Sequence, residues 1–171
     1  MYKLARYFLR CLPALILPAS SMATDNCAFQ QIHVYETLEF TIQGTGCDTH
    51  QWEIQVKNED KPFTQLKGSS PRLQNAWVTD IDGDGNPEVI LQMQNAGEKA
   101  EGSIRLLELV GTHFNPEQTL PVLSAEEQAQ YQGHDNFTVE DGQIVRDFSL
   151  GKETKQIFYQ FVDKKLVVKV P

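Results

Sequence analysis

Between residues 80 and 88 the chain reads Asp80-Ile81-Asp82-Gly83-Asp84-Gly85-Asn86-Pro87-Glu88. Carboxylates at alternate positions, followed by a glycine, gather oxygen ligands around a hard divalent cation. Asp80, Asp82 and Asp84 are the expected ligands; Gly85 allows the sharp turn, Asn86 offers a carbonyl and Glu88 is the next acid. A donor set made only of oxygen favours calcium over zinc. An EF-hand needs a bidentate Glu at loop position twelve, and Leu91 stands there, so that motif is excluded. The competing reading is a turn rich in Asp and Gly with no ion in it. Against it stands the mutual repulsion of acids this close together, which a cation would relieve.

A second group of reactive side chains lies at Tyr131-Gln132-Gly133-His134-Asp135. Downstream of Asp141-Gly142, Ile144, Phe148 and Leu150 share one parity of an alternating run, and Arg146 shares it with them. A guanidinium on an apolar face costs several kcal/mol unless it is paired. Asp135 is the expected partner, through a two-toothed carboxylate contact. The alternative is that Arg146 sits near a sheet edge and reaches water along its own stem. Nothing nearby forms a catalytic set. His33, His50, His113 and His134 are scattered without zinc-site spacing, and no serine sits in a nucleophile elbow. The expectation is a protein that is not an enzyme.

Strands must position both groups. Leu38, Phe40 and Ile42 alternate with polar residues, as do Trp52, Ile54 and Val56. Phe63–Leu66 continues the pattern and Gly68-Ser69-Ser70-Pro71 is expected to break it. Gly44-Thr45-Gly46 and Asn58-Glu59-Asp60 read as turns. Leu73–Val78 leads into the acidic stretch, Val89–Met93 leaves it, and Ile104–Val110 follows the polar connection Gln94–Gly102. Phe137–Glu140 and Gln143–Leu150 form a hairpin across Asp141-Gly142. Gln156–Val162 and Leu166–Val170 form another across Asp163-Lys164-Lys165. Ser124-Ala125-Glu126-Glu127 fits a capping box opening one short helix through Gln130. The fold class is therefore all-β, in antiparallel strands arranged as a sandwich, barrel or partial β-propeller. Residues 24–171 are too few for a complete propeller and show no repeat of the acidic loop.

Residues 1–23 read as an export signal. Lys3, Arg6 and Arg10 precede the mostly apolar run Cys11–Ala19, and Ser21-Met22-Ala23 fits a cleavage site. They hold three of the 15 basic residues and none of the 23 acids, so the remaining chain carries 12 against 23, a formal charge of −11. That acidity argues against nucleic acid, whose backbone demands a basic surface. It suits a metal, a basic protein partner or solubility alone. Cys27 and Cys47 are the cysteines left, and an even pair in an oxidising compartment reads as a disulfide. Their midpoint, Thr37, lies in a turn, so a hairpin would bring them together.

Two resemblances follow from these residues. The acidic loop running straight into an apolar strand resembles the calcium loops of FG-GAP-type β-propeller blades. Tyr131-x-Gly133-x-Asp135, then Phe137-x-Val139, a turn, and Ile144-Val145-Arg146-x-Phe148 resemble the periplasmic inhibitors of invertebrate-type lysozyme. They are also similar to immunity proteins against lysozyme-like effectors. The acidic loop upstream and a Tyr-bearing strand at Phe158-Tyr159 stand in the same order, so the likeness covers about Leu73 to Phe161. It implies a periplasmic all-β protein that fills the acidic groove of a peptidoglycan-cleaving glycosidase with a loop. The matching loop is Asn95–Gly102, in which Glu98, Lys99, Ala100 and Glu101 stand between Gly97 and Gly102. Glu98, Lys99, Glu101, Tyr131, Gly133 and Asp135 are the partner-binding residues it implies, although Tyr131 also reads as ordinary turn packing. The alternative is a calcium-stabilised binding or adhesion module without inhibitory activity. A third reading is a glycan hydrolase whose acid pair the spacing does not identify.

Overall fold

Alternating apolar and polar side chains turn most of the chain into antiparallel ladders, each with at least one buried face. The computed structural model describes residues 27–169; the expected leader, its cleavage position and Val170 lie outside them. The strands are β1 (Phe29–Tyr35), β2 (Leu38–Thr45), β3 (Thr49–Asn58), β4 (Lys61–Thr79), β5 (Glu88–Gln94), β6 (Gly102–Val110), β7 (His113–Phe114) and β8 (Gln118–Thr119). After the short helix α1 (Ala125–Gln130) come β9 (Tyr131–Glu140), β10 (Gln143–Leu150), β11 (Glu153–Val162) and β12 (Lys165–Val168). β1 to β7 lie in sequence order in one sheet, with β8 also pairing β6, and β12-β11-β10-β9 form a second. The fold is all-β and sandwich-like, and neither sheet closes into a barrel.

β5 and β6 are the wall between two cores. Val89, Leu91 and Met93 of β5 join Leu107 and Leu109 of β6 against Phe40, Ile42, Trp52 and Ile54 inside the large sheet. The alternate residues Ile90, Ile104 and Leu106 face Phe137, Ile144, Phe148, Tyr159 and Phe161 of the second sheet. Burial on both faces is why Val89-Ile90-Leu91 is an unbroken apolar run rather than an alternating one. Each such side chain contributes about 1.5–3 kcal/mol relative to exposure. The two rims of this wall carry the two candidate sites: the acidic loop enters β5 at Glu88, and Asn95–Gly102 joins β5 to β6 at the other end.

The expected break at Gly68-Ser69-Ser70-Pro71 is not there. β4 runs through it, pairing with β3 as far as Pro71 and with β5 from Arg72 onward. Gly68 is required for space: a Cβ on it would lie 2.2 Å from the Trp52 ring. Pro71 stands where the strand changes partner, a place that tolerates a missing N–H. β2 likewise continues through Gly44 and Thr45, so the turn falls on residues 46–48. β9 begins at Tyr131, earlier than Phe137, because a register irregularity against β10 lets the Tyr131–Asn136 segment stay paired. β7 and β8 have two residues each, too few to leave a periodic signal.

Other expectations hold. Cys27 and Cys47 are joined by a disulfide at the mouth of the β1–β2 hairpin, whose turn is Glu36-Thr37. Asp141 and Gly142 both have positive φ, 50° and 70°, the pair of values that matches hairpin twist. Ser124 caps α1 with the reciprocal bonds of a capping box: its Oγ accepts from Glu127 N–H, and its own N–H donates to the Glu127 carboxylate at 2.8 Å.

Candidate functional site: an acidic loop and a seated loop

Asp80 organises the acidic loop. Its Oδ1 accepts the N–H groups of Gly83 at 2.8 Å and Asp84 at 3.1 Å, and its Oδ2 accepts that of Gly85 at 2.9 Å. Gly83 and Gly85, with φ of 77° and 90°, supply the reversals that such wrapping needs. Asn86 donates both its N–H and its side-chain amide to Asp84 Oδ1, at 2.8 and 2.9 Å. Asp82 and Asp84 are exposed, whereas Glu88 is fully buried. Carboxylate oxygens of Asp80, Asp82 and Glu88 lie within 4.8 Å of one another, and so do those of Asp84, Glu88 and Glu108. Through its two bonds to Asp84 Oδ1, Asn86 holds Asp84 in place.

Glu108 was not among the expected ligands. It stands directly opposite Glu88 in the β5–β6 ladder and is 2 % exposed. Like charges opposite each other in a sheet destabilise it, and buried polar atoms need partners. Glu88 Oε2 accepts the Ile81 N–H at 2.7 Å, and Glu108 Oε2 meets the Asn115 amide and, at 3.4 Å, Lys164 Nζ. Among the described residues, Glu88 Oε1 and Glu108 Oε1 have no hydrogen-bond partner. Burial pushes the Glu88 carboxyl up to about 8, against the pull of the Ile81 N–H, and the charges of Asp82, Asp80 and Glu108 add to the rise. Burial also raises Asp82, while the Asn86 N–H lowers Asp84. Two orphaned carboxylate oxygens beside three further carboxylates fit a hard divalent cation, which would satisfy both oxygens and neutralise the repulsion. The signal in the sequence was an acid inside the apolar run Leu106-Leu107-Glu108-Leu109.

At the opposite rim, Asp135 and Arg146 pair. Their side chains are fully and nearly fully buried, at 0 % and 8 % exposure. The contact is not two-toothed across the carboxylate. Arg146 Nε and Nη2 both reach Oδ1 at 2.7 Å, because Oδ2 is already occupied by the Gly102 N–H at 2.7 Å and the Tyr131 hydroxyl. Rings of Phe148, Tyr131 and Phe137 surround the guanidinium at 4.7, 5.5 and 5.9 Å. Burial and the Asp135 carboxylate together raise the Tyr131 hydroxyl well above its ordinary range.

This network seats the Asn95–Gly102 loop. Lys99 C=O accepts the His134 N–H at 2.8 Å, while Gly102 is tied to Asp135. Gly133, at φ 76°, lets the strands approach: a Cβ there would lie 1.9 Å from the Lys99 oxygen. Within the loop, Asn95 N–H donates to Glu101 C=O at 2.8 Å and Ala100 N–H to Gly97 C=O at 3.1 Å. Glu98 and Lys99 project into solvent, Glu101 is half-buried, and Gly133 and Asp135 are buried beneath them. Tyr131 is half-buried with its hydroxyl committed to Asp135, and its ring borders a groove of about 510 Å³ with Gly102, Arg105, Leu120, Leu123 and Arg146. The acidic loop and the seated loop thus occupy opposite ends of β5, with different side chains fixing each. No protein-family model matches this chain, and no curated protein or solved structure matches it either.

Proposed function

We propose that this protein is an exported, periplasmic binding protein that inhibits a lysozyme-like peptidoglycan hydrolase, with Asn95–Gly102 as the segment that enters the enzyme. The observation that supports it is the seating of that loop. Bonds from its second half, at Lys99 and Gly102, run to a buried ion pair and its strand, and bonds within the loop tie Asn95 to Glu101 and Gly97 to Ala100, so the loop is ordered before any partner arrives. Ordering in advance removes part of the entropy cost of association. Glu98, Lys99 and Glu101 then make the contacts, with Tyr131 lining the adjoining groove, while Gly133 and Asp135 serve from below as positioning residues. A formal charge of −11 favours encounter with a basic enzyme. The protein itself performs no chemistry in this reading. Calcium, held by Asp80, Asp82, Asp84 and Glu88 with Asn86 in support, has a structural role.

The test is inhibition. Purified protein titrated against a panel of lysozymes and secreted muramidases should suppress turbidity clearing of cell walls by at least one of them. Glu98→Ala/Lys99→Ala should weaken that suppression without altering the fold. No complex and no suppression across the panel would overturn the proposal. The acidic cluster, which owes nothing to the seated loop, favours a second reading: a cation-stabilised binding or adhesion module. That reading predicts a calcium-dependent melting temperature together with no effect on any glycosidase.

A further inference from the structure

We infer that Glu108, far from the acidic loop in sequence, is a ligand of the same divalent cation, so that the ion binds between the loop and the paired strands β5 and β6. The inference deepens the calcium part of the function proposed above and rests on it. Glu88 belongs to both groups of converging carboxylates, with Asp80 and Asp82 on one side and Asp84 and Glu108 on the other. Glu88 is the member the two groups share, so an ion bound to it is adjacent to the other acids of each. The independent observation is the state of the two buried glutamates. Each uses Oε2 for a partner of its own and leaves Oε1 without one among the described residues, although Glu88 is 0 % and Glu108 2 % exposed.

Hydrogen bonding explains half of each carboxylate and leaves the other half unexplained. A role confined to Asn115 and Lys164 would not need Glu108 opposite a second buried acid, where repulsion and desolvation act together. Oxygen-only donors of high negative charge select calcium over softer metals. Magnesium, smaller and reluctant to lose water, is the weaker competitor. Glu88 and Glu108 share the parity of Ile90, Ile104 and Leu106, which face the second sheet. Lys164, in the β11–β12 turn of that sheet, also meets Glu108. The ion consequently lies where the loop, the large sheet and the second sheet meet, and its binding tightens all three.

Calcium titration by calorimetry, in chelator-treated buffer, decides the matter. The wild-type protein should bind one calcium, and Glu108→Gln should weaken binding by about tenfold or more. Asp82→Asn should do likewise, whereas Glu153→Gln, at a distant exposed position, should bind as the wild type does. In chelator, Glu108→Gln should be as stable as the wild type or more so, since it removes a buried charge. A merely structural Glu108 predicts the reverse: lower stability in chelator and unchanged calcium affinity. Should Glu108→Gln not fold, the carboxyl ¹³C resonances of the wild type carry the test. Calcium must then shift that of Glu108 along with those of Asp82 and Glu88. A wild type that binds calcium while Glu108 neither shifts nor alters affinity would overturn the inference and leave the loop site standing. A wild type that binds no calcium would overturn both.

Discussion

Gly102 donates its backbone N–H to Asp135 Oδ2 at 2.7 Å, across 33 residues of sequence, and so fixes the end of the seated loop to a buried ion pair. The same carboxylate neutralises Arg146 and accepts the Tyr131 hydroxyl. One side chain therefore determines both the packing of the β9–β10 hairpin and the position of the loop.

Asp135→Ala should therefore do two things. It strands the Arg146 guanidinium among three aromatic rings, which costs about 3–5 kcal/mol by the behaviour of broken buried pairs. It also releases the Gly102 N–H, so amide exchange at Gly102 should accelerate beyond what global unfolding explains. Asp135→Leu/Arg146→Met, which removes both charges, should lose less than the two single substitutions combined. Urea unfolding of the cycle measures this. Strictly additive losses would show that the two side chains are not coupled.

Gly133→Ala tests the seating from the strand side. The new methyl would meet Lys99 C=O at 1.9 Å in a residue held at φ 76°. Either Lys99 moves or β9 distorts, and the His134–Lys99 bond is lost in both cases. A destabilisation of about 1–3 kcal/mol is expected, with faster exchange of the His134 amide. Inhibition, if the loop is the inserting element, should fall further than stability alone predicts. Equal inhibition with a displaced loop would detach activity from this seat.

Strand content was legible in the sequence because period two survives wherever one face is wet, as in Leu38–Ile42 and Trp52–Val56. The disulfide, the capping box at Ser124 and the Asp141-Gly142 turn depend on local chemistry and were equally readable. The acidic loop announced Asp80, Asp82 and Asp84, but Glu108 lies one strand away and only the β5–β6 register brings it there. Gly68 was misread because a glycine that makes room for an indole looks the same in sequence as one that ends a strand. The second tooth of the Arg146–Asp135 contact failed for a similar reason. Whether Oδ2 is free depends on Gly102, and no spacing rule connects residue 102 to residue 135.

Gly68→Ala separates these two kinds of glycine. A turn glycine at an ordinary negative φ would accept alanine at small cost. Here a Cβ would lie 2.2 to 2.8 Å from three atoms of the Trp52 ring, which is 4 % exposed and part of the large core. Overpacking of this sort costs about 1–3 kcal/mol. Tryptophan fluorescence should also change in the folded state as the indole is displaced. An unchanged spectrum and midpoint would mean that β3 and β4 can part at no cost.

The contact between α1 and the second sheet gives the pH prediction. Glu127 accepts a hydrogen bond from Lys155 Nζ of β11 and another from the Ser124 N–H, and together they hold its carboxyl down, to about 2 from an ordinary 4.5. A carboxyl depressed in the folded state binds its proton less readily there than in the unfolded chain. Its stabilisation is therefore complete above about pH 4.5 and is lost as the pH falls from there towards 2. Glu127→Gln keeps the side-chain acceptor of the capping box and removes the charge. The wild type should exceed this variant by about 1 kcal/mol near neutrality, a modest figure because Lys155 is partly exposed and water screens the pair. That gap should persist down to about pH 5 and close by about pH 2. Lys155→Met should abolish most of the gap at every pH, whereas Ser124→Ala should cost about 1 kcal/mol by loss of the cap. A gap between wild type and Glu127→Gln that does not narrow in acid would place the stabilisation in helix capping and not in the charge of Glu127.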